Sequence, residues 1–489
     1  MRQLKCRLPR KTIPWLMLLP DNLGIILALL LLGTFYFLWY LKSMPIYWDS
    51  AVYVGMAKYI SSFGASGLWE GLRPVMLPIL LVPALISEAD AVLCGQALQL
   101  FFTIGSILMI YVLGKRIFYK KIAFLGAVLA GITPLFMRYS SMILSQMPSI
   151  FFGLLAIYVF LKGKMFWSGL LAAISFLFRF PQGIIIAILL MILTRRKDLR
   201  GGMRFLAGAG LLIAPFLLFN QLKYGSFLEP FFAANLAVHG NYLWLYEKEA
   251  WFYLAETMRQ NLLFVFAVPG IVMFFVNRDY RKDARIILMA CLLATSGYYM
   301  FLAHKETRYL MTVIPYVALF SAYGIASFFR QKSQKPERNM TGAAWSWISR
   351  NYWLLLGAAM LLLFAHDTYK DMEYLPDFTQ GDYLEQERFF RYFQENPVEG
   401  QILVTDPRPA LYVDNLLIPC YVDDCTATYE TYKNNISGIV YTPRSFPCRK
   451  DDERCRAKND ALLIRIKQDN KLVFEKEIFG SKMYAFISS

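Results

Sequence analysis

Two short stretches place ionisable groups where an apolar chain has few. The first is Tyr47-Trp48-Asp49-Ser50-Ala51-Val52-Tyr53, just after the apolar run Leu23 to Leu41. The second is His304-Lys305-Glu306-Thr307-Arg308-Tyr309, set between two later apolar runs. A charged side chain costs about 2.5 to 3.5 kcal/mol at the centre of a bilayer on insertion scales, so charges at the ends of apolar runs are functional candidates. The Asp49 carboxylate can take a proton from a hydroxyl. It can equally be a helix N-cap, because apolar or aromatic residues recur every three or four positions after it. In the second stretch, Lys305 and Arg308 suit a phosphate, arginine through its planar fork and lysine as a mobile point charge. The alternative is an interfacial turn in which Glu306 pairs with a neighbouring cation and the basic residues reach lipid headgroups.

The rest of the chain dictates where these groups must sit. It has 489 residues, 57% hydrophobic, 16% aromatic and only 18% charged, with a mean hydropathy of +0.40, the composition of a polytopic membrane protein. The formal charge of +16 falls in short clusters between apolar runs, without the single basic stripe that nucleic acid requires. Runs near the roughly 20 residues of a span cover 14 to 41, 91 to 113, 122 to 137, 148 to 161, 165 to 178, 181 to 193, 202 to 219, 261 to 276, 285 to 302, 309 to 329 and 351 to 366, about 11 in all. The first has a basic leader (Lys5, Arg7, Arg10, Lys11) but the length of a span and no small-residue cleavage site, so it is expected to remain as an anchor.

With the N-terminus inside, the cytoplasmic loops carry Lys115, Arg116, Lys120 and Lys121, then Lys162 and Lys164, Arg195 to Arg200, Arg278 to Arg285, and Arg330 to Arg338. This count makes Pro74 to Ile86 an interfacial or re-entrant pair of helices broken by its prolines. It also gathers Lys42 to Arg73, Arg138 to Pro148, Asn220 to Gln260 and His304 to Arg308 on the outer face. The aromatic loop Asn220 to Gln260 is expected to form an interfacial lid there.

The tail changes character. Strand-like runs 401 to 405, 438 to 441 and 482 to 487 alternate with helix-like segments 384 to 394 and 457 to 468, which predicts a small extracytoplasmic α/β domain, residues 367 to 489, after a membrane domain of residues 1 to 366. Cys420, Cys425, Cys448 and Cys455 lie in this tail with no histidine after His366, so disulfides are expected before a zinc site. The trial pairing is Cys420 with Cys425 and Cys448 with Cys455. Asn435-Ile436-Ser437 is a glycosylation sequon.

In order, these elements resemble the GT-C superfamily of membrane glycosyltransferases that use polyprenyl-phosphate sugars, including protein O-mannosyltransferases and the lipid A aminoarabinose transferase. The matching elements are Trp48-Asp49 after the first span, Gly71-Leu72-Arg73-Pro74, the Tyr-Val-Leu-Gly-Lys-Arg-Ile-Phe end of a span at 111 to 118, Arg179 in Leu177-Phe178-Arg179-Phe180-Pro181, and His304 to Tyr309 with the following Pro315. The resemblance covers about residues 1 to 330. It implies a GT-C fold and sugar transfer from a polyprenyl or dolichyl monophosphate to a lipid, glycan or protein hydroxyl, with inversion expected. In that scheme Asp49 is the base. Lys305, Arg308, Arg179, Arg138 and Arg73 are the candidates for holding the donor phosphate, while His304, Glu306, Gln146, Tyr309 and Trp48 support or orient them.

The family usually carries a second acid where this chain has Gln146, whose amide can only position groups; no cofactor or essential metal is therefore expected. A lipid or solute transporter, or a non-catalytic subunit of a glycan-assembly complex, are the other classes. The near absence of acids within the runs argues against a transporter.

Overall fold

The computed structural model describes residues 23–42, 48–239, 243–277, 283–333, 381–422 and 424–488, with Leu362 and His366. The basic N-terminal leader, most of the run 351 to 366, Arg278, Arg281 and Lys282 of one expected basic loop, and Lys335 and Arg338 of another lie outside the described residues.

Apolar runs become helices because only a helix satisfies every backbone group within its own segment. In order they are α1 (Leu23–Lys42), α2 (Trp48–Ser61), α3 (Met76–Ile86), α4 (Ala91–Ile117), α5 (Lys120–Gly131), α6 (Pro134–Tyr139), α7 (Gln146–Leu161), α8 (Met165–Phe178), α9 (Gly183–Arg195), α10 (Leu199–Tyr224), α11 (Glu229–His239), α12 (Leu243–Tyr246), α13 (Phe252–Gln260), α14 (Ala267–Val276), α15 (Asp283–Phe301) and α16 (Ile314–Ser333). Asp90 starts α4 by accepting from the Val92 and Leu93 N–H groups at 2.8 and 3.0 Å, and Gly225 ends α10 in the left-handed region at φ 75°.

Among the described residues, α4, α10 and α15 are long and apolar enough to cross a membrane, and the pair Phe252–Gln260 and Leu262–Val276, bent by 119°, passes the same test together. Helices α7, α8 and α9 coincide with expected runs yet hold only 16, 14 and 13 residues, less than a full span. The expected break in Pro74 to Ile86 does not occur: one helix forms, since Pro78 sits in its first turn, where no N–H partner is needed, and Pro83 forfeits a single bond.

Two helix pairs meet at backbone distance. A Cβ on Gly169 would come within 2.0 Å of the Phe205 carbonyl oxygen, and one on Gly208 within 2.0 Å of that of Phe166, between α8 and α10. Gly270 and Gly324 make the same reciprocal approach between α14 and α16, at 2.1 Å each. Small residues are what membrane helices use to come this close.

The C-terminal sheet has the order β2-β1-β3-β5-β4, built from β1 (Gln401–Val404), β2 (Leu417–Pro419), β3 (Ile436–Tyr441), β4 (Asn470–Ile478) and β5 (Ser481–Ser488). Strand β1 runs parallel to both β2 and β3, and β5 is antiparallel to β3 and β4. Cys420 is bonded to Cys425 and Cys448 to Cys455.

This sheet is fastened to α2. Val52, Met56 and Leu68 share one buried cluster with Phe389, Ile402 and Val404. Gly67 donates its N–H to Asn415 and accepts from Leu417 at 3.0 and 2.7 Å, at a φ of 79° where a Cβ would meet the Gly55 carbonyl at 2.3 Å. Helix α2 is thereby clamped against the sheet, and its first turn joins the clamp through the Trp48 ring on Tyr421.

Candidate active site

Six ionisable side chains from three segments form a continuous chain beside that clamped turn. Glu70 accepts from Arg73 Nε at 2.8 Å, and Arg73 Nη2 reaches Asp49 Oδ1 at 2.9 Å. The other Asp49 oxygen accepts from Arg308 Nη1. Arg308 then grips Glu306 with two nitrogens, Nη2 and Nε, at 2.7 Å each, and His304 Nε2 meets Glu306 Oε1 at 2.7 Å. Signs alternate from Glu70 to Glu306, which is what makes such burial tolerable: an unpaired charge here would lose hydration with nothing in return.

Asp49 is 6% exposed and Glu70 2%. Burial works against an ionised Asp49, yet Arg308 and Arg73 outweigh it and hold its carboxyl well below the usual carboxylate range. Glu306 behaves alike: burial opposes its charge, but Arg308 and the hydrogen bond from His304 bring its pKa down to about 2. Because the folded value lies below the ordinary 4.5, this group contributes stability above pH 4.5 that drains away as pH falls toward about 2. The melting temperature is expected to decline through that window, and Glu306→Gln to remove that part of the decline; an unchanged acid slope in the variant would show that Glu306 is not paired.

Lys305 differs from its neighbours. It is 8% exposed, its N–H donates to the Tyr246 carbonyl at 3.0 Å, and among the described residues no carboxylate lies within ion-pair reach of its ammonium. Gln146, buried at the start of α7, likewise has an amide oxygen with no partner among the described residues. An ammonium with no acid beside it and an amide oxygen with no partner both keep unused hydrogen-bonding capacity.

The turn is held by the aromatic loop that sequence reading assigned to a lid. Tyr246 stacks on the His304 ring at 3.9 Å, and the Tyr253 hydroxyl takes the Glu306 N–H at 3.1 Å and donates to its carbonyl at 3.2 Å. The loop is therefore also the seat of the charged turn. Tyr309 lies between two guanidinium groups, 4.7 Å from Arg179 and 5.8 Å from Arg308, and donates to Glu306 at 3.1 Å. Arg179 Nε also reaches the Tyr299 hydroxyl at 3.4 Å.

Thus Asp49, Arg73, Arg308, Glu306, His304 and Tyr309 converge, with Lys305 in the same turn and Arg179 one ring away. Arg138 is exposed at the end of α6, while its neighbour Tyr139 feels the charges of Arg308, Glu306 and Asp49. Trp48 turns its ring onto Tyr421 of the sheet region, edge on at 4.9 Å. Glu70 was missed, although an acid three residues before Arg73 is a readable signal. Tyr246 and Tyr253 gave none, since aromatic residues fill that loop for membrane reasons as well.

No curated protein matches the chain by sequence. Its fold is similar to that of ArnT from Cupriavidus metallidurans bound to undecaprenyl phosphate, with a TM-score of 0.61 at 10% identity over 95% of this chain and 98% of that one. It is similar also to the Archaeoglobus fulgidus oligosaccharyltransferase in the apo form, with a TM-score of 0.63 at 12% identity over 97% of this chain and 75% of that one. Residues 69–400 match the sequence model of the Alg9-like mannosyltransferase family. Both the span of that match and the helical architecture agree: the chain is a membrane glycosyltransferase of the GT-C fold and belongs to the Alg9-like mannosyltransferase family.

Proposed function

We propose that the protein transfers a sugar from a polyprenyl or dolichyl monophosphate to an acceptor hydroxyl on the extracytoplasmic face, with Asp49 as general base. The N-terminus is then cytoplasmic, residues 1 to 366 form the membrane domain and residues 367 to 489 the extracytoplasmic one. The observation that carries this reading is the Asp49 carboxylate shared by Arg73 and Arg308, in contact with the turn that holds Lys305, which has no acidic partner among the described residues. The undecaprenyl phosphate bound by ArnT supports a lipid phosphate as the donor's anchor.

With both arginines in place Asp49 is a feeble base. A donor phosphate entering beside Lys305 competes for Arg308, and each hydrogen bond that Arg308 gives up to the phosphate raises the proton affinity of Asp49. The acceptor oxygen then attacks the anomeric carbon as Asp49 takes its proton, and the sugar–phosphate bond breaks through an oxocarbenium-like state. The departing lipid phosphate stays anionic against Lys305 and Arg308, so no general acid is needed. Arg179 supports the Tyr309 ring, 4.7 Å from its guanidinium. No cofactor is required, because these side chains supply the positive charge.

Lys305→Ala tests the cradle. In proteoliposomes given radiolabelled dolichyl-phosphate mannose, the donor KM is expected to rise about ten- to a hundredfold, the worth of one charged hydrogen bond, with little change in melting temperature. An unaltered donor KM would remove Lys305 from the phosphate site, and no consumption of any polyprenyl-phosphate sugar by the wild type would sink the transferase reading.

A further inference from the structure

A second polar crevice, of about 340 Å³, opens at the start of α2, lined by Trp48 and by residues of the sheet region. That volume is within the range of small-molecule sites, about 300 to 1,000 Å³. Its place in the fold is informative. From β1 the chain runs first to β2 on one side and later to β3 on the other, so the gap beyond the carboxyl ends of β1 and β3 is a topological switch point. In open sheets with parallel strands, ligands bind at such gaps.

Asp406 and Arg408 follow β1, and Thr442, Arg444 and Ser445 follow β3; all five line the crevice. They are set in advance. Asp406 accepts from Arg408 Nε and Nη2 at 2.9 and 2.5 Å, and Gln386 accepts from its Nη1 at 2.6 Å. The Thr442 hydroxyl meets that of Ser445 at 2.7 Å.

The strongest sign is a strained residue. Phe479 and Gly480 form the two-residue connection between β4 and β5, with φ of 54° and 69°. Such turns favour Asn-Gly, because both residues are left-handed, and a phenylalanine there is held against its preference. The surroundings over-determine it. Its N–H donates to Asp382 at 2.9 Å, its carbonyl accepts from Arg444, and its ring meets Tyr383 edge on at 4.7 Å and the Arg444 guanidinium at 5.5 Å. Strain of this kind, kept in the wall of a cavity, points to a ligand.

We propose that this crevice binds the acceptor as a saccharide, a proposal that rests on the transferase reading. The rings of Trp48, Tyr383 and Phe479 offer apolar faces for the C–H side of a sugar, and Arg408, Arg444 and the Ser445 hydroxyl, which stay accessible in the crevice, match adjacent sugar hydroxyls, with the buried Asp406 holding Arg408 in place. Trp48 is the wall nearest the chemistry, since the next residue is Asp49. An acceptor seated here extends past Trp48 to present a hydroxyl to that carboxylate.

The test uses the full-length protein in nanodiscs on an array of oligosaccharides ending in mannose, glucose, galactose or N-acetylglucosamine. Wild type is expected to retain a subset. Phe479→Asn, which suits the turn but removes the ring, is expected to melt at or above the wild-type temperature while binding about tenfold more weakly, equivalent to about 1.4 kcal/mol. Arg444→Ala should weaken the same glycans, and Lys458→Ala, an exposed position outside the crevice, should bind them as wild type does. Retention of wild-type binding by both Phe479→Asn and Arg444→Ala, or a blank array, overturns the site. A blank array with intact transfer removes the crevice alone; ring-dependent binding without any transfer removes the transferase reading and leaves the crevice.

Discussion

Asn at position 49 is expected to lower kcat for sugar transfer by about a thousandfold, the middle of the range for loss of a general base. The substitution keeps size and shape, and the amide oxygen can still accept from one arginine. What it removes is the negative charge and the proton acceptor. Arg73 and Arg308, now less well neutralised, are freer for an anion, so the donor KM should stay level or fall. That split distinguishes base from counter-ion. If Asp49→Asn instead raises the donor KM and leaves kcat intact, the carboxylate only organises the arginines, and the proton leaves by another route.

The second large effect is expected at Arg308. It joins Asp49 to Glu306, with only 11% of its side chain exposed. Arg308→Ala leaves both acids short of their principal cation in a buried setting, where breaking one pair costs about 3 to 5 kcal/mol. Transfer should vanish and the melting temperature should drop markedly. Arg308→Lys keeps the charge but not the fork, so it should recover stability in part and activity less, because it cannot serve Asp49 and Glu306 at once. A wild-type melting temperature in Arg308→Ala would mean that the buried row is not assembled in the membrane.

The helices were largely legible, because a run of apolar residues has one solution in lipid and its ends are marked by charge. The turn at 304 to 308 was legible for the same reason: four ionisable residues in five stand out between two apolar runs. What was not legible was pairing. Arg73 and Arg308 read as open phosphate ligands, but the structure shows both occupied by carboxylates, while Lys305 has no acidic partner among the described residues. Composition cannot say which acid a cation will meet across more than 200 positions of chain.

Strands β1, β3 and β5 announced themselves by apolar runs. Strand β2 has three residues, one a proline, and β4 is a mostly exposed edge strand rich in lysine and glutamate, so neither carries a core signal. The crevice beyond β1 and β3 was invisible for a related reason, since it depends on which strands become neighbours.

Trp48 and Asp49 are consecutive in the first turn of α2, yet one packs on Tyr421 of the sheet region and the other between two arginines of the bundle. A single peptide unit therefore separates the surface that meets the sheet from the carboxylate that meets the bundle. Any change that rotates the first turn of α2 moves the Trp48 ring and the Asp49 carboxylate together, so a load on the sheet is felt at the carboxylate through one rigid link.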